Sequence, residues 1–178
     1  MTSIFELLKT RRSIRKYLPK AVEEEKINQI TLAALMSPAS KRSNPWEFIV
    51  VKEINMLLKL SEARSHSSQM LADSPLGIVV IADTTKSDVW MEDASIAAII
   101  MQLQAQDLGL GSCWIQIYNR KKDENITAEE YIRKLLNIPQ QFNVLCILSI
   151  GYPNEEKKHF ETDKLAIDKI HTEIFKFS

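Results

Sequence analysis

The sequence predicts an α+β fold, a three-layer α/β/α sandwich in which helices cover both faces of a central mixed sheet. Four short runs of apolar and β-branched residues, each bounded by turn residues, alternate along the chain with segments of helical periodicity. The apolar runs are nearly continuous, which is typical of strands that are covered on both faces. With 178 residues, of which 45% are hydrophobic, the chain can bury the core of one domain, predicted to span 1–178.

Three helices are predicted in the first part of the chain. Ser3 followed by Glu6 has the spacing of a capping box and opens a short first helix. A second helix is predicted over 23–36. It has an apolar face, and it ends before Pro38 because proline disfavours a helical conformation in the residue ahead of it. A third helix is predicted to begin near Ile54.

Two further helices and four strands complete the prediction. The longest helix is expected from about Met91 to Leu108, and its run of small and apolar residues nearly all round places it at the centre of the structure. Thr127 and Glu130 form a second capping box, which opens a helix that ends near Leu136. The strands are predicted over 46–52, 77–83, 112–117 and 143–151.

The composition disfavours several classes of function. Lys plus Arg and Asp plus Glu each total 23, and the resulting zero net charge argues against a protein built mainly to bind nucleic acid. The N-terminus does not resemble a secretory signal, because Glu6 lies in its short apolar part, and no run is long enough to span a bilayer. Cys113 and Cys146 lie in apolar runs without ligand-spaced partners, which favours reduced core thiols in a cytoplasmic protein and no metal site.

A basic segment, residues 9–20, follows the first helix and holds six of the 23 basic residues with no acid among them. Arg11, Ser13 and Arg15 alternate, so an extended chain would point all three side chains the same way. Two guanidinium groups and a hydroxyl can bind a phosphate or a carboxylate. On composition alone, a solvated basic turn at the surface is the commoner explanation of such a run.

Two loops separate helices from strands. The loop over 37–45 contains two prolines, which forbid a continuous helix, and leads into the strand that begins at Trp46. Gly109 and Gly111 stand between the longest helix and the next strand, with a spacing that is not that of a dinucleotide-binding fingerprint. Without further context, the first loop is a connection beside a core tryptophan and the second is a helix C-cap.

In content and order these segments resemble the nitroreductase family. The sequence RRSIR at 11–15 is similar to the R-R-S-x-R motif with which that family holds FMN. The resemblance implies that Arg11 contacts the FMN phosphate, Ser13 the ribityl or pyrimidine part, and Arg15 the N1/O2 edge of the flavin. Positive charge at that edge stabilises the anionic reduced flavin. Arg12 is included among the cofactor-binding residues without an assigned contact.

The loop over 37–45 is similar to the family's A-P-S-x-x-N-x-Q-P-W-x-F segment, which reaches the flavin across a dimer interface. The resemblance therefore implies cofactor contacts for Pro38, Ala39, Ser40 and Asn44. Asn44 replaces the usual Gln and keeps an amide donor and acceptor with a shorter reach. Arg42 replaces the usual Asn, which puts that side-chain contact in question and bears on the choice of acceptor.

The sequences GLGSCWI and IGYP resemble two further motifs of the family. They imply that Trp114 and Ile115 lie against the isoalloxazine, with core packing as an equal alternative for Trp114. Gly151 belongs to the second motif, and the resemblance implies that it is a cofactor-binding residue. A basic residue after it is expected to help hold the phosphate, and among the candidates we favour Lys158.

The resemblance implies an FMN-dependent oxidoreductase in which the cofactor carries the chemistry and no side chain is catalytic. In a ping-pong cycle, NADH or NADPH would give a hydride to N5 of the flavin, and a nitroaromatic, quinone or flavin acceptor would then take its place. One alternative is another flavin chemistry on the same scaffold, such as reductive dehalogenation. A second is a flavin-binding or sensing protein without useful turnover. A nucleic-acid module is disfavoured, since Tyr17 is the one aromatic residue in the basic segment.

A homodimer is expected, because the flavin site would combine the basic segment of one chain with the loop over 37–45 of the other. The C-terminal extension, 160–178, ends in amphipathic and aromatic residues and is predicted to pack on the partner subunit. The expected partners are a small-molecule acceptor and a second copy of the chain, with no nucleic acid and no membrane.

Overall fold

The computed structural model describes residues 3–175, and residues 1–2 and 176–178 lie outside the described part. The last three residues of the predicted C-terminal extension fall in that outer part. Every predicted helix and strand is present, with small differences at the ends. The α-helices are α1 (Ile4–Thr10), α2 (Glu24–Leu35), α3 (Ile54–Ser61), α4 (Trp90–Asp107) and α5 (Ala128–Leu135). The strands are β1 (Trp46–Val51), β2 (Leu76–Asp83), β3 (Gly111–Gln116) and β4 (Phe142–Gly151).

Side-chain caps fix the starts of three helices, α1, α3 and α5. At α1, the Ser3 hydroxyl accepts a hydrogen bond from Glu6 N at 3.2 Å, which is one half of the predicted capping box. At α5 the box is complete, because Glu130 N donates to Thr127 Oγ1 at 3.0 Å and Thr127 N donates to Glu130 Oε2 at 2.7 Å. These bonds satisfy backbone N–H groups that a first helical turn leaves without partners.

The sheet has the strand order β1-β2-β4-β3, and all three of its ladders are antiparallel. The predicted mixed sheet is therefore wrong for these four strands. A parallel pairing is found at the isolated bridge between Ser13 and Ser112. The error has a physical reason: a strand covered on both faces has a continuous apolar run whatever the direction of its neighbours.

Two cores lie on opposite faces of the sheet, which confirms the three-layer architecture. The first lies under α2 and α4 and includes Ile78 and Val80 of β2. The second lies under α3 and α5 and includes Val79 and Ile81 of the same strand. Alternate residues of one strand thus enter different cores, as the two-residue period of a strand requires.

The long helix α4 packs along one face of the sheet. Ala94, Ala97 and Met101 are fully buried in the first core. Ile96 and Ile99 are 38% and 36% exposed, so one face of α4 lies at the surface of the single chain and not at the centre of the structure as predicted. Apolar residues around a helix do not specify whether its outer face meets the same chain or another. Within residues 3–175, neither α4 nor any other helix is long and apolar enough to cross a membrane.

The register of the sheet determines where the loops emerge. At one end, which we call the glycine end, Gly111 of β3 pairs with Gly151 of β4, and β1 finishes at Val51. At the opposite end, the tryptophan end, Trp46 of β1 pairs with Ala82 of β2. The 6 residues of β1 separate the two ends by about 17 Å at about 3.3 Å per residue.

Candidate functional site

The basic segment leaves α1 in an extended conformation at the glycine end of the sheet. Ser13 forms an isolated bridge with Ser112 of β3, and Ile14 N donates to Ser112 O at 3.0 Å. Gly111 permits this approach, because a Cβ atom there would lie 2.7 Å from the Ile14 side chain. The extended conformation predicted for this segment is therefore present along the free edge of β3.

Tyr17 fastens the basic segment to β4. Its hydroxyl lies 2.6 Å from the carbonyl oxygen of Ile14, 3.1 Å from the carbonyl oxygen of Ser149 and 2.7 Å from the Ser149 hydroxyl. Burial raises the pKa of Tyr17, and the hydrogen bond with Ser149 lowers that pKa by less, so the side chain is a neutral anchor. Alternation in the sequence does not identify Tyr17, because Tyr17 is buried whereas Arg15, two positions before it, is exposed.

The chain that follows β4 runs back along the basic segment. Tyr17 forms an isolated antiparallel bridge with Pro153, and Asn154 N donates to Lys16 O at 2.9 Å. Gly151 has no room for a side chain, because a Cβ atom there would lie 2.9 Å from the Tyr17 ring. Close packing thus accounts for Gly151, for which the family resemblance implies a cofactor contact.

Glu155, an acid for which the sequence predicts no role, lies among these bases. Glu155 Oε1 accepts hydrogen bonds from Arg15 N at 2.5 Å and Lys16 N at 3.2 Å, and Glu155 Oε2 lies 2.6 Å from Lys157 Nζ. Partial burial raises the pKa of Glu155, but the Lys157 ammonium and the two backbone N–H groups together lower it more. The net pKa lies below the usual range, so Glu155 is a carboxylate at neutral pH.

Side chains of the basic segment affect the pKa of the Cys113 thiol on β3. Burial raises the pKa of Cys113, while the Arg15 charge, the Ser13 hydroxyl and the Arg11 charge lower it in that order of size. The bridge between Ser13 and Ser112 places this stretch of the basic segment beside β3. Within residues 3–175, neither Arg11 nor Arg15 forms an ion pair, so both guanidinium groups can bind an anionic ligand.

The side chain of Arg12 has partners in its own chain. Its guanidinium donates to the carbonyl oxygen of Lys158 and lies 4.7 Å from the ring centroid of Phe160. It also lines a cleft of about 370 Å³ between the ends of α1 and α4 and the chain after β4. The Lys158 side chain is exposed, and the neighbouring ammonium of Lys157 is the one that pairs with Glu155.

Trp114 and Ile115 lie on opposite faces of β3. The Trp114 indole is partly buried against the first core, and its Nε1 donates to Gln116 Oε1 at 2.8 Å. Ile115 is only 1% exposed and lies in the second core. Because successive residues of a strand point to opposite faces, the side chain of Ile115 packs in the core, and the predicted cofactor contact of Ile115 falls to its backbone.

The loop over 37–45 lies at the tryptophan end of the sheet. Lys41, Arg42 and Asn44 adopt positive φ angles of 50°, 55° and 42°, a conformation that is uncommon outside glycine. Ser40 N donates at 2.8 Å to Oδ1 of Asp93, a buried residue in the first turn of α4, which holds this turn in place.

Three buried polar atoms beside this loop have no hydrogen-bond partner among residues 3–175: Ser37 Oγ, Ser43 Oγ and Trp46 Nε1. Buried polar groups are nearly always paired in folded proteins. Within residues 3–175, the hydrogen-bonding capacity of these three atoms is therefore unused.

One chain does not bring all the predicted residues together. Arg11, Ser13 and Arg15 form one group at the glycine end. The second group lies at the tryptophan end and consists of Pro38, Ala39, Ser40 and Asn44. The length of the sheet separates the two groups.

Comparison with known proteins gives a family assignment. A sequence model of the nitroreductase family matches residues 8–65 and 55–152. A protein of Archaeoglobus fulgidus with the provisional name NADH dehydrogenase/NAD(P)H nitroreductase is 39% identical over 178 residues, which cover 97% of this chain and 99% of that protein.

Solved structures agree with this match. A structure described as an FMN-dependent nitroreductase from Clostridium difficile R20291 has a TM-score of 0.95 and 51% identity, covering 97% of this chain and 100% of its own. A Bacteroides thetaiotaomicron structure with the same provisional name as the Archaeoglobus protein has a TM-score of 0.88 and 31% identity, covering 96% of this chain and 97% of its own. Because the matches span nearly the whole chain and its basic segment, this protein belongs to the nitroreductase family.

Proposed function

We propose that the protein is an FMN-dependent oxidoreductase that transfers electrons from NADH or NADPH to a small oxidised acceptor such as a nitroaromatic, a quinone or a flavin. The observation that carries the proposal is the stretch from Arg11 to Arg15 held along β3, in which neither guanidinium group forms an ion pair within residues 3–175. FMN, when bound, would accept a hydride from the nicotinamide and pass electrons to the acceptor.

The donor set of the basic segment fits the chemistry of FMN. Arg11 supplies a planar fork of N–H groups that suits the phosphate, and Ser13 supplies a hydroxyl for the ribityl or pyrimidine part. Arg15 supplies positive charge for the N1/O2 edge. Lys158 stays our candidate for a further phosphate contact, because its side chain is exposed and its backbone is held beside Arg12.

We further propose a homodimer in which the loop over 37–45 of each chain completes the flavin site of the other. The separation of the two predicted groups along the sheet and the orphaned polar atoms of the loop support this arrangement. An apolar surface is also available for a partner. We propose that this surface draws on exposed apolar side chains of three elements: Ile4, Phe5 and Leu8 on α1, Ile96 and Ile99 on α4, and Leu165, Ile167, Ile170, Ile174 and Phe175 in the C-terminal extension.

The first test is the visible spectrum of the purified protein, recorded without oxygen before and after addition of NADH or NADPH. We expect flavin absorption bands that bleach with a nicotinamide. Arg11→Gln should weaken FMN binding by about tenfold or more, because charge-assisted hydrogen bonds contribute about 1.5–3 kcal/mol. Lys134→Gln, which removes an exposed cation on α5, is the matched control and should bind FMN as the unmodified protein does.

The outcomes separate the candidate functions. A protein that takes up no added FMN contradicts the proposal. A flavoprotein that neither nicotinamide reduces would instead be a flavin-binding or sensing protein. Steady-state oxidation of NADH and NADPH with nitrofurazone, menadione or an aryl halide then identifies the class of acceptor, and turnover of the halide alone would indicate reductive dehalogenation.

A further inference from the structure

Glu155 lies against the basic segment and has contacts that an ordinary surface acid would not need. Its side chain is only 14% exposed, and one carboxylate oxygen accepts hydrogen bonds from two successive backbone N–H groups, those of Arg15 and Lys16. These two residues lie 140 and 139 positions before it in the chain. An exposed ion pair with Lys157 would need neither backbone contact.

The same carboxylate acts on the group that we propose for flavin binding. Glu155 raises the pKa of both Cys113 and Tyr17, whereas Arg15 lowers both. The negative charge of Glu155 and the positive charge of Arg15 therefore have opposite effects on the pKa of the same two buried groups. Because Glu155 is ionised at neutral pH, its negative charge opposes the positive charge of Arg15 at that pH.

We propose that Glu155 is a positioning residue that holds the backbone of Arg15 in the flavin site and offsets part of the positive charge there, so that it lowers the reduction potential of the bound flavin. The inference rests on the proposed FMN function. A positive environment favours the reduced, anionic form of a flavin and raises its potential, and a carboxylate opposes that effect. Glu155 thus has two separable actions, one through its hydrogen bonds and one through its charge.

Three variants separate the two actions. Glu155→Gln keeps an oxygen that can accept from the N–H groups of Arg15 and Lys16 but removes the charge. Glu155→Ala removes both the acceptor and the charge. Lys157→Gln leaves the backbone hydrogen bonds of Glu155 in place and removes the positive partner of its carboxylate.

The experiment measures the midpoint potential of the bound flavin and the FMN dissociation constant of the full chain. Glu155→Gln should shift the midpoint potential to a more positive value and bind FMN at least as tightly as the unmodified protein. Lys157→Gln should shift the potential in the opposite direction. Glu155→Ala should weaken FMN binding by about tenfold, because release of the Arg15 backbone loses about one to two hydrogen bonds.

Each result either supports or contradicts the inference. An unchanged potential in Glu155→Gln contradicts it while leaving the proposed function intact, and this variant decides the question if Glu155→Ala does not fold. Equal losses of FMN affinity in Glu155→Gln and Glu155→Ala, at unchanged potential, would reduce Glu155 to a structural contact. A chain that binds no FMN overturns both this inference and the proposed function.

Discussion

At the scale of single residues, the proposed site depends on one neutral residue, Tyr17, and one charged residue, Glu155, which hold the backbone of the basic segment. Tyr17 contributes three hydrogen-bond contacts to Ile14 and Ser149, and Glu155 holds the next two backbone N–H groups. Neither residue is expected to touch the reacting atoms. They instead hold the backbone that carries Arg11, Ser13 and Arg15, and a fixed backbone pre-organises the polar side chains of a site.

Removal of the Tyr17 hydroxyl gives the first residue-scale prediction. Tyr17→Phe should lower the free energy of unfolding by about 1–3 kcal/mol, because it leaves the buried Ser149 hydroxyl and the Ile14 carbonyl without their partner. Urea denaturation of the FMN-free protein measures this loss. Tyr118→Phe serves as the matched control, since the Tyr118 ring contacts Trp90 edge-on and its hydroxyl forms no hydrogen bond with residues 3–175. Equal losses in the two variants would contradict the anchoring role.

Tyr17 also predicts how stability depends on pH. Its pKa in the folded protein is raised above the value of about 10 that it has in an unfolded chain. The folded state therefore keeps its proton when the unfolded state loses one, and stability falls as pH rises above about 10. Tyr17→Phe should lose this component of the alkaline decline, which unfolding curves between neutral and alkaline pH would reveal. An unchanged alkaline decline would contradict the assignment to Tyr17.

At the scale of elements, the contact between the basic segment and the edge of β3 requires a glycine. Ile14 lies directly against Gly111, whereas nothing lies within 4 Å of a Cβ atom at Gly109. The two glycines therefore serve different purposes. Gly109 has a φ angle of +75° and closes α4 through its backbone conformation, and Gly111 allows two pieces of chain to approach.

This difference predicts the behaviour of two alanine variants. Gly111→Ala should displace the basic segment from β3 and weaken FMN binding by about tenfold or more, because a small displacement of a site can cost up to a factor of about 100. Gly109→Ala should cost about 1 kcal/mol of stability from backbone strain alone and leave FMN affinity almost unchanged. Fluorescence titration with FMN measures the affinity. Equal FMN affinity in the two variants would show that the contact at Gly111 does not matter for the site.

At the scale of the whole molecule, one chain keeps the two groups of predicted site residues apart and leaves apolar side chains exposed. The residues of α1 are all exposed or partly exposed, although Ile4, Phe5 and Leu8 are apolar. The outer face of α4 carries exposed isoleucines, and the C-terminal extension has apolar side chains at the surface. Such a surface is typical of an interface between subunits.

A charge placed on this surface tests the assembly. Ile96→Glu should convert a dimer into monomers in sedimentation experiments and should lower FMN affinity in parallel, since the loop of the partner is lost from the site. Ile126→Glu alters a residue with the same 38% exposure outside the proposed surface and should change neither property. A variant at Ile96 that remains a dimer with normal FMN affinity would contradict the proposed interface.

The sequence alone determined the helices and strands, because caps, apolar periodicity and prolines act within a few residues of one another. Thr127 and Glu130 are three positions apart, and their capping box is present as predicted. The sequence also contained the family motifs and the alternation of Arg11, Ser13 and Arg15, because the side-chain directions of an extended segment alternate from one residue to the next.

Only the tertiary structure decided which of these residues meet. It showed that the four strands pair antiparallel, that Ile115 lies in a core, and that Arg12 contacts the chain after β4. It also placed Glu155 against the backbone of Arg15, across 140 positions of sequence. Strand direction and long-range hydrogen bonds follow from the path of the whole chain, and no local pattern of residues specifies that path.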